Sequence, residues 1–489
     1  MSAELLKNKK IKKYDTEICN DSMTFQECEL AILREAVDEN DKIISEKIAN
    51  SEEVKKMISI LEDFLTKKQN ICYGGTAINN ILPKQAQFYD RDIEIPDYDF
   101  FSPNALDDAK ELADIYHNSG FSEVEAKAGM HYGTYKVFVN FIPIADITYL
   151  HSEIFDSIKK EAIKVDGILY APANFLRMNM YLELSRPMGD VSRWEKVLKR
   201  LNLLNKYYPL DPMINCYNVD FQRKMDNDSE YSNKLYYIIR DSLIKQGVVF
   251  FGGYASSLYS KYMSKNKRHL VKQIPDFDVI SEEPEKTANI VVENLKERGF
   301  KHIKIIKRAA IGELIPESFE IRVKKETMAF IYYPIACHNY NIIKINDFDI
   351  KIATIDTILS FYLAFYYTKQ PYYFKDRILC IAKFLFEVQQ TNRLSQRGLL
   401  ERFSINCYGK QPTIENIRAE KVEKYRQLKD KQGTREYDEW FLKYTFQKDN
   451  ESSSKRTKKV KKTNKVKKTN SKRTTSLNKT KKKDNSFLI

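Results

Sequence analysis

The sequence predicts a mixed α/β (α+β) fold made of two tandem copies of one domain, each a small mixed sheet with helices, and two observations support this prediction. In both copies an apolar strand runs into a Gly-Gly pair, and an Asp-x-Asp motif follows just over twenty residues later. In both, an amphipathic helical pattern precedes the Gly-Gly pair and further helical patterns close the copy. We expect the second copy to be a degenerate duplicate of the first.

Three segments of the first copy have counterparts in the second. They are ICYGGTAINNIL from Ile71, IPDYDFFS from Ile95 and FIPIADITYL from Phe141, matched by VVFFGGYASSLY from Val248, IPDFDVIS from Ile274 and IYYPIACHNY from Ile331. The shared tripeptide Pro-Ile-Ala aligns Asp146 with Cys337. On this alignment the second copy keeps both glycines and both Asp-x-Asp carboxylates but has lost the third carboxylate.

The helical patterns set the predicted domain limits. Residues 52–67 place five apolar side chains on one helical face, namely Val54, Met57, Ile58, Leu61 and Leu65. Later helical stretches cover 171–187 and 194–208 in the first copy and 352–367 and 376–389 in the second. We predict a helical N-terminal extension at 1–50, a catalytic domain at 51–211, a degenerate domain at 212–390, a charged helical region at 391–450 and a disordered Lys-rich tail at 451–489.

The net charge of +14 belongs almost wholly to that tail. Residues 451–489 hold 15 Lys or Arg and 2 acidic residues, which leaves 66 basic and 65 acidic side chains in the other 450 residues. The body is therefore nearly neutral, and its composition does not by itself predict a basic groove. Three interpretations of the tail stay open: a passive solvated end, a nonspecific nucleic-acid binder or a nuclear-import-like signal.

Composition also excludes several classes of protein. No apolar run approaches the ~20 residues of a membrane span, and the basic N-terminus lacks the apolar segment of a secretory signal. The seven cysteines are scattered without a C-x-x-C pair. We therefore expect free thiols in a reducing compartment and no zinc site.

The Asp-x-Asp motif of the first copy suits a metal site. Residues two apart in a strand point to the same side, so Asp97 and Asp99 aim both carboxylates at one spot. Asp146 follows a separate apolar strand that could lie alongside. Such carboxylates are typical ligands of Mg²⁺ or Mn²⁺, and we expect two ions. One would lower the pKa of an attacking hydroxyl, and the other would stabilise a triphosphate and its leaving group.

The Gly-Gly pair predicts a phosphate site. Gly74 and Gly75 would let a phosphate approach the backbone between a strand and a short helix beginning near Thr76, whose N-terminus supplies free N–H groups. Alone, Gly-Gly is most often only a turn, and Asp-x-Asp is usually a solvated loop. Their ordered combination, repeated in the second copy, indicates nucleotidyl transfer.

This combination resembles the polymerase-β-type nucleotidyltransferase superfamily. Over roughly residues 50–390, the chain is similar to the poly(A) polymerase catalytic subunit of poxviruses and related large DNA viruses, most clearly in ICYGGTAINNILP, IPDYDFFSP and HYGTYKVFVNFIPIADITYL. The resemblance implies two sets of functional residues: Asp97, Asp99 and Asp146 as catalytic metal ligands, and Gly74 and Gly75 as triphosphate contacts.

The resemblance further implies substrates, partners and location. ATP would be the donor and an RNA 3′ end the acceptor, with a homodimer or a processivity subunit as possible assemblies. The implied sites of action are the virion and the cytoplasmic virus factories of the host. Thr76 occupies a position where the superfamily often has a phosphate-binding Ser, which makes its hydroxyl a lesser candidate for nucleotide binding.

Several basic residues are additional candidates. Lys136, in the strand before Asp146, is a candidate nucleotide contact, whereas His131 is more simply a surface or hydrogen-bonded residue. Four residues on the later helices could contact nucleotide or RNA, or could lie on ordinary solvated faces: Arg177, Lys196, Lys199 and Arg200.

The leading hypothesis is a template-independent enzyme that polyadenylates RNA 3′ ends, adding AMP from ATP by two-metal nucleotidyl transfer and releasing pyrophosphate. Two alternatives stay open. One is a nucleotidyltransferase that uses another NTP or acceptor, and the other is a non-catalytic RNA-binding or assembly protein. The complete set of carboxylates in the first copy argues against the second alternative.

Overall fold

The computed structural model describes residues 17–20, 22–90, 94–210, 214–219, 221, 230–271, 275–345 and 347–446. The predicted mixed α/β fold with two mixed sheets is confirmed. The described residues up to Thr445 form one compact unit. The predicted disordered tail at 451–489 lies outside the described residues, as does the predicted boundary at 211/212, so both stay predictions.

Two helices precede the first sheet, α1 (Phe25–Ala49) and α2 (Glu52–Lys68). α1 begins with a capping box in which Thr24 and Glu27 bond reciprocally. α2 begins after Ser51, whose side chain accepts a hydrogen bond from a backbone N–H in the first turn. Its buried face includes four of the five predicted residues, Val54, Met57, Leu61 and Leu65, and the fifth, Ile58, is half-buried.

The first copy forms an eight-stranded sheet among the described residues, in the spatial order β16-β3-β4-β5-β2-β1-β7-β6. Its strands are β1 (Ile71–Tyr73), β2 (Tyr98–Ser102), β3 (Val124–Ala128), β4 (Thr134–Val139), β5 (Ile142–Tyr149), β6 (Ile163–Val165), β7 (Ile168–Tyr170) and β16 (Lys443–Tyr444). Its helices are α3 (Gly74–Ile81), α4 (Ala105–Asn118), α5 (Ser152–Lys159), α6 (Ala173–Leu184) and α7 (Trp194–Tyr207).

The second copy forms another eight-stranded sheet within the described ranges, in the order β10-β11-β12-β9-β8-β14-β13-β15. Its strands are β8 (Val249–Phe250), β9 (Phe277–Ile280), β10 (Ile303–Arg308), β11 (Ser318–Val323), β12 (Glu326–Tyr332), β13 (His338–Ile345), β14 (Phe348–Ala353) and β15 (Cys407–Tyr408). Its helices are α8 (Glu230–Lys245), α9 (Gly253–Tyr259), α10 (Pro284–Glu297), α11 (Ile355–Tyr366) and α12 (Lys375–Thr391).

The two sheets correspond strand for strand. From β3 to β6 in the first and from β10 to β13 in the second, the order of parallel and antiparallel pairs is the same. Each sheet gains one extra edge strand, β16 beside β3 and β15 beside β13. The equivalent helices α6 and α11 pack against each other and join the two copies.

The charged C-terminal region contains the helices α13 (Ile414–Leu428) and α14 (Arg435–Phe441). It returns to the first copy, because β16 pairs with β3 and the Lys110 ammonium donates to the Asp438 carboxylate at 2.6 Å. None of the helices in the described part of the chain combines the length and the apolar character that a membrane span requires.

Disulfides replace most of the predicted free thiols, and that prediction is wrong for six of the seven cysteines, all of which are described. The pairs are Cys19–Cys28, Cys216–Cys380 and Cys337–Cys407, with Cα–Cα separations of 5.3, 5.4 and 5.2 Å. Only Cys72 is free, and it is buried. Sequence separations of 9, 164 and 70 residues form no motif from which the pairing could be predicted.

A buried ion pair fastens the segment after α12 to α11. The Arg402 guanidinium donates to both carboxylate oxygens of Asp356, at 2.8 Å through Nε and 2.9 Å through Nη2. The Asp356 side chain is fully buried, and Gln389 donates to it at 3.3 Å. Because two parallel hydrogen bonds join the charges, this pair fixes both the orientation of the segment after α12 and its distance from α11.

The substitution Arg402→Ala is expected to lower the free energy of unfolding by about 3–5 kcal/mol, because it leaves the Asp356 charge buried and uncompensated. The matched control is Arg426→Ala, whose partner Glu423 lies at 3.4 Å on the exposed face of α13. Surface pairs of this kind contribute under about 1 kcal/mol. Urea unfolding of both full-length variants measures the difference, and equal losses would show that the Asp356 pair adds nothing.

Candidate active site

Four neighbouring strands place one row of side chains across the first sheet. Lys136 in β4 lies opposite Asp146 in β5, Asp146 opposite Asp99 in β2, and Asp99 opposite Tyr73 in β1. Directly opposed residues on adjacent strands point to the same face of a sheet. The row therefore brings two of the three predicted carboxylates side by side, as the sequence led us to expect.

Asp97 joins this row because it stands two residues before Asp99. The intervening Tyr98 is fully buried, and its hydroxyl donates to the Glu62 carboxylate at 2.6 Å on the core side. Alternation along the chain then directs Asp97 and Asp99 to the opposite, open side. Asp97 is exposed, whereas Asp99 and Asp146 are half-buried.

The three carboxylates repel one another. Burial, followed by the charges of Asp97 and Asp146, raises the pKa of Asp99 to about 7. Surrounding protein atoms, followed by the Asp146 charge, raise the pKa of Asp97 despite its exposed side chain. Lys136 opposes the rise in both pKa values. The cluster is thus short of positive charge, which a bound cation would supply.

The glycine turn follows β1 directly and opens α3. Gly74 has φ +75°, and a Cβ on it would stand 2.7 Å from Asp99 Oδ2. A Cβ on Gly75 would stand 2.8 Å from the Tyr89 hydroxyl and 2.9 Å from Arg200 Nη1. A side chain at the first position would strain the backbone and collide with the Asp99 carboxylate, so this position requires glycine. A side chain at the second position would collide with Tyr89 and Arg200, so glycine there lets both side chains come close to the turn.

Thr76 links the glycine turn to the carboxylates. Its side chain is buried, and its hydroxyl donates to the backbone carbonyl of Asp97 at 2.6 Å. This bond holds the start of α3 against the loop that enters β2. In this structure, the Thr76 hydroxyl thus positions the backbone of the site.

Basic residues of α7 and of the turn before it face the same site. The Arg200 guanidinium donates a hydrogen bond to the Tyr89 hydroxyl, and its Cζ lies 5.2 Å from the centre of the Phe88 ring. Burial raises the pKa values of Asp97 and Asp99, and the positive charges of Lys196 and Arg193, respectively, offset a small part of that rise. The 193, 196, 200 spacing puts these cations on one helical face. Sequence reasoning missed Arg193 and Tyr89, although that spacing was a usable signal for Arg193.

Two other predicted basic residues lie away from the site. Arg177 is fully buried in α6, where its Nε donates to Asn205 Oδ1 at 2.8 Å, so it stabilises the packing of α6 against α7. Lys199 pairs with Glu195 at 2.6 Å on the exposed side of α7. His131 is exposed in the turn before β4, in keeping with its predicted surface role.

A cavity of about 180 Å³ adjoins the carboxylates. It is lined by side chains from α3, from the loop before β2 and from the segment after α3: Thr76, Asn79, Asn80, Tyr89, Glu94, Ile95, Pro96 and Asp97. Asn79 shapes this wall, because its Oδ1 accepts hydrogen bonds from the backbone N–H groups of Phe88 and Tyr89 at 2.7 and 2.9 Å. The site therefore has enclosed space beside Asp97.

The corresponding row of the second sheet has no carboxylate at the position of Asp146. In it, Phe330 lies opposite both Asp278 and Glu320, and the Phe251 N–H donates to the Asp278 carbonyl at 2.9 Å. The two sheets also share a shift in strand register. In β4 it falls between Val137 and Phe138, after the row residue Lys136, and in β11 it falls between Ile321 and Arg322, after the row residue Glu320. Phe330 therefore takes the place of Asp146.

This register corrects the predicted alignment of Asp146 with Cys337. The tripeptide Pro-Ile-Ala lies inside β5 in the first copy, but in the second copy it follows the end of β12. Cys337 is in that later segment and forms a disulfide with Cys407. The identical tripeptides misled the alignment because the first lies within its strand and the second lies after the end of the equivalent strand. The second copy nevertheless has no carboxylate at the position equivalent to Asp146, where Phe330 stands instead.

The second glycine turn is closed by its own aspartates. The Asp278 and Asp276 carboxylates occupy the positions where Cβ atoms on Gly252 and Gly253 would lie. All four residues of the row, Glu320, Phe330, Asp278 and Phe251, are buried. The Phe251 ring stacks on Phe361 of α11 with centroids 4.6 Å apart. This face of the second sheet is therefore packed core.

The carboxylates of the first row suit a hard divalent cation in donor type, because Asp97, Asp99 and Asp146 supply only oxygen ligands. In the part of the chain that the structure describes, no group of three or more His, Cys, Asp or Glu side chains is already arranged to hold a metal ion. Lys136 forms an ion pair with Asp146. The donor set thus fits Mg²⁺ or Mn²⁺, but one of its members already has a cationic partner.

Comparison with known proteins connects this site to one family. Residues 59–190 match the sequence profile of the family described as poly(A) polymerase catalytic subunit. That span contains both glycines and all three carboxylates of the site. The resemblance predicted from the sequence is confirmed over this region.

Two viral relatives extend the comparison. A protein of African swine fever virus (isolate Pig/Kenya/KEN-50/1950), described as a "putative poly(A) polymerase catalytic subunit", is 35% identical over 174 residues, 34% of this chain and 36% of that protein. A protein of Acanthamoeba polyphaga mimivirus with the same description is 29% identical over 277 residues, 54% of this chain and 45% of that protein. The aligned regions thus span less than half the length of these curated relatives.

The fold is shared more widely than the sequence. The crystal structure of the Megavirus polyadenylate synthase superposes with a TM-score of 0.73 at 20% identity, covering 93% of this chain and 92% of that chain. Both sheets and their helices therefore belong to one known architecture.

The substitution Gly74→Ala is expected to damage the site, whereas Gly120→Ala is not. Both glycines have positive φ, +75° and +99°, so each added methyl costs about 1–2 kcal/mol of backbone strain. Only at Gly74 does the methyl meet the Asp99 carboxylate, because nothing lies within 4 Å of a Cβ on Gly120. Titration with Mn²⁺ should show at least tenfold weaker binding for Gly74→Ala alone. Equal Mn²⁺ affinities would contradict this geometry.

Proposed function

We propose that this chain is a template-independent adenylyltransferase that extends RNA 3′ ends with AMP taken from ATP and releases pyrophosphate. The observation that carries the proposal is the row in which Asp146 lies opposite Asp99, with Asp97 beside them and the glycine turn next to the row. A phosphate-cradling turn and a carboxylate cluster are the two parts that nucleotidyl transfer requires. The family match over residues 59–190 supports the choice of adenylate.

Asp97, Asp99 and Asp146 would hold the divalent cations, proposed as two Mg²⁺ or Mn²⁺ ions. When bound, such ions lower the pKa of the attacking hydroxyl and stabilise the negative charge of the leaving group. The pKa of Asp99, raised to about 7 by burial and by its acidic neighbours, supports a cation requirement here. All three carboxylates are proposed to act together, since none of them alone offers enough oxygen ligands.

The glycine turn and α7 are proposed to bind the triphosphate. α3 begins at Gly74 with no side-chain cap on its first backbone N–H groups, and these groups are proposed to bind phosphate oxygens, which glycines without side chains allow to come close. Arg200 lies directly over Gly75 and is held there by Tyr89. Thr76 would act mainly by fixing the turn through its bond to Asp97, with direct phosphate contact as its second proposed role.

The proposed reaction is a single in-line displacement. The RNA 3′-hydroxyl loses its proton to water and its oxygen forms a bond to the α-phosphorus of ATP, while the bond between that phosphorus and the bridging oxygen to the β-phosphate breaks and its electron pair leaves with pyrophosphate. Negative charge then grows on pyrophosphate, which is proposed to lie next to Arg193 in the turn before α7 and to Lys196 and Arg200 in α7. Fixed charges placed where charge develops lower the barrier without reorganisation.

Partners and location are proposals of the same kind. ATP and an RNA 3′ end would be the substrates, and a homodimer or a separate processivity subunit would be the assembly. The relatives are viral proteins, which supports action in the host cytoplasm, in virus factories, and packaging in the virion. A role of residues 451–489 in holding RNA is proposed from their charge alone.

Primer extension tests the proposed function. Full-length protein with a labelled short RNA, Mg²⁺ or Mn²⁺ and one NTP at a time should give long ladders with ATP. The variant Asp97→Ala/Asp99→Ala should lose about 100-fold or more in rate, because several kcal/mol of charge stabilisation disappears. The matched control, Asp276→Asn/Asp278→Asn in the second sheet, should retain the rate once circular dichroism shows that it folds.

Other outcomes of this experiment separate the alternatives. Ladders with a different NTP would keep nucleotidyl transfer and overturn the choice of adenylate. RNA binding without extension by any NTP would favour the non-catalytic alternative. Loss of activity only in the second-sheet variant would contradict the assignment of the site to the first sheet.

The substitution Arg200→Ala is expected to raise the KM for ATP by roughly 10- to 100-fold, since a charge-assisted hydrogen bond is worth about 1.5–3 kcal/mol. Lys199→Ala is the control on the same helix, because Lys199 is exposed and pairs with Glu195. Isothermal titration with inorganic tripolyphosphate gives a second readout, independent of RNA. Equal tripolyphosphate affinity in the two variants would show that Arg200 does not contact the phosphates.

A further inference from the structure

Lys136 occupies the carboxylate cluster in this structure. It lies opposite Asp146 on the neighbouring strand, and its ammonium group forms an ion pair with Asp146 Oδ2. Among the described residues, Asp146 is the one member of the set Asp97, Asp99 and Asp146 that forms a salt bridge, and Lys136 is its partner. The Lys136 side chain is 38% exposed and that of Asp146 is 21% exposed, so the pair stands at the open edge of the site.

A metal ion bound by Asp146 would compete with this lysine. The ammonium group already contacts one of the two carboxylate oxygens of Asp146, and a divalent cation bound to the same carboxylate would be strongly repelled by the lysine charge. The lysine charge therefore opposes entry of the ion for as long as it stays beside Asp146.

We propose that Lys136 is an internal counter-ion, which holds Asp146 in place before a divalent cation binds and leaves it when the cation arrives. The inference rests on the proposed function of the site. Lysine is suited to this role because its ammonium group sits on a flexible four-carbon stem with an exposed path to solvent. Once released, Lys136 is free to contact a nucleotide phosphate, which reconciles its predicted role with its observed partner.

The second sheet supports the link between the two residues. At the position equivalent to Lys136 it has Glu320, and at the position equivalent to Asp146 it has Phe330. Glu320 accepts hydrogen bonds from Arg308 in the neighbouring strand β10 at 2.5 Å and from Arg322 in its own strand at 2.6 Å, so these two arginines balance its charge. The lysine and the carboxylate are thus absent together where no cation is to be bound.

Mn²⁺ titration of the full-length protein without nucleotide or RNA tests the inference. Lys136→Met keeps the length of the side chain and removes its charge, so Mn²⁺ should bind at least tenfold more tightly. Lys127→Met is the matched control, because Lys127 lies opposite Lys136 on the next strand, one strand farther from Asp146, and contacts Glu125 at 3.3 Å. Electron paramagnetic resonance of free Mn²⁺ measures both affinities.

Unchanged or weaker Mn²⁺ binding by Lys136→Met, in a variant whose circular dichroism matches the wild type, overturns the inference. If Lys136 serves only the nucleotide, ATP affinity falls while Mn²⁺ affinity stays the same. Primer extension by the wild-type protein is a separate measurement. Its failure would reject the proposed function, whereas extension together with an unchanged Mn²⁺ affinity would reject only the counter-ion role.

Discussion

The parallel pairing of β2 with β5 is the constraint on which the site depends. It sets Asp99 opposite Asp146, and chain alternation adds Asp97 on the same side. Burial and, after it, the nearby charges of Asp97 and Asp146 disfavour the ionised form of Asp99 and raise its pKa to about 7. The sheet holds them together because β2 and β5 lie at its centre, with hydrogen-bonded neighbours on both sides. Positive charges offset part of this repulsion: Lys136 forms an ion pair with Asp146, and Arg193 and Lys196 act at longer range.

The second sheet shows the same constraint with different side chains. The equivalent pairing sets Asp278 opposite Phe330, whose ring lies 5.0 Å from that of Tyr372. The face that is open in the first copy is here filled by aromatic packing and by aspartates that close the glycine turn. Burial of apolar surface replaces electrostatic strain, and α11 supplies both the cover for this sheet and the contact with α6. The equivalent faces of the two sheets therefore differ: that of the first copy is open at its carboxylates, and that of the second is filled by packed side chains.

Sequence reasoning succeeded where the signal was local. Two-residue alternation located Asp97 and Asp99, the strand-to-Gly-Gly pattern located Gly74 and Gly75, and the helices followed from their apolar faces. It failed where the answer depended on strand register or on residues far apart in sequence. An identical tripeptide outweighed the register and misaligned Cys337, and the disulfides join cysteines with no shared motif. The partner of Lys136 was equally hidden, because no pattern in one strand tells which residue the next strand sets opposite.

Location of Mn²⁺ by anomalous scattering in crystals of the full-length protein, soaked with Mn²⁺ and a non-hydrolysable ATP analogue, tests the central claim most directly. The claim is that the β2–β5 pairing creates one metal-binding row and that the equivalent row in the second sheet cannot bind metal. Anomalous peaks should appear between Asp97, Asp99 and Asp146, with none beside Asp276 and Asp278. Peaks at the second sheet, or none at the first with the nucleotide bound, would contradict it.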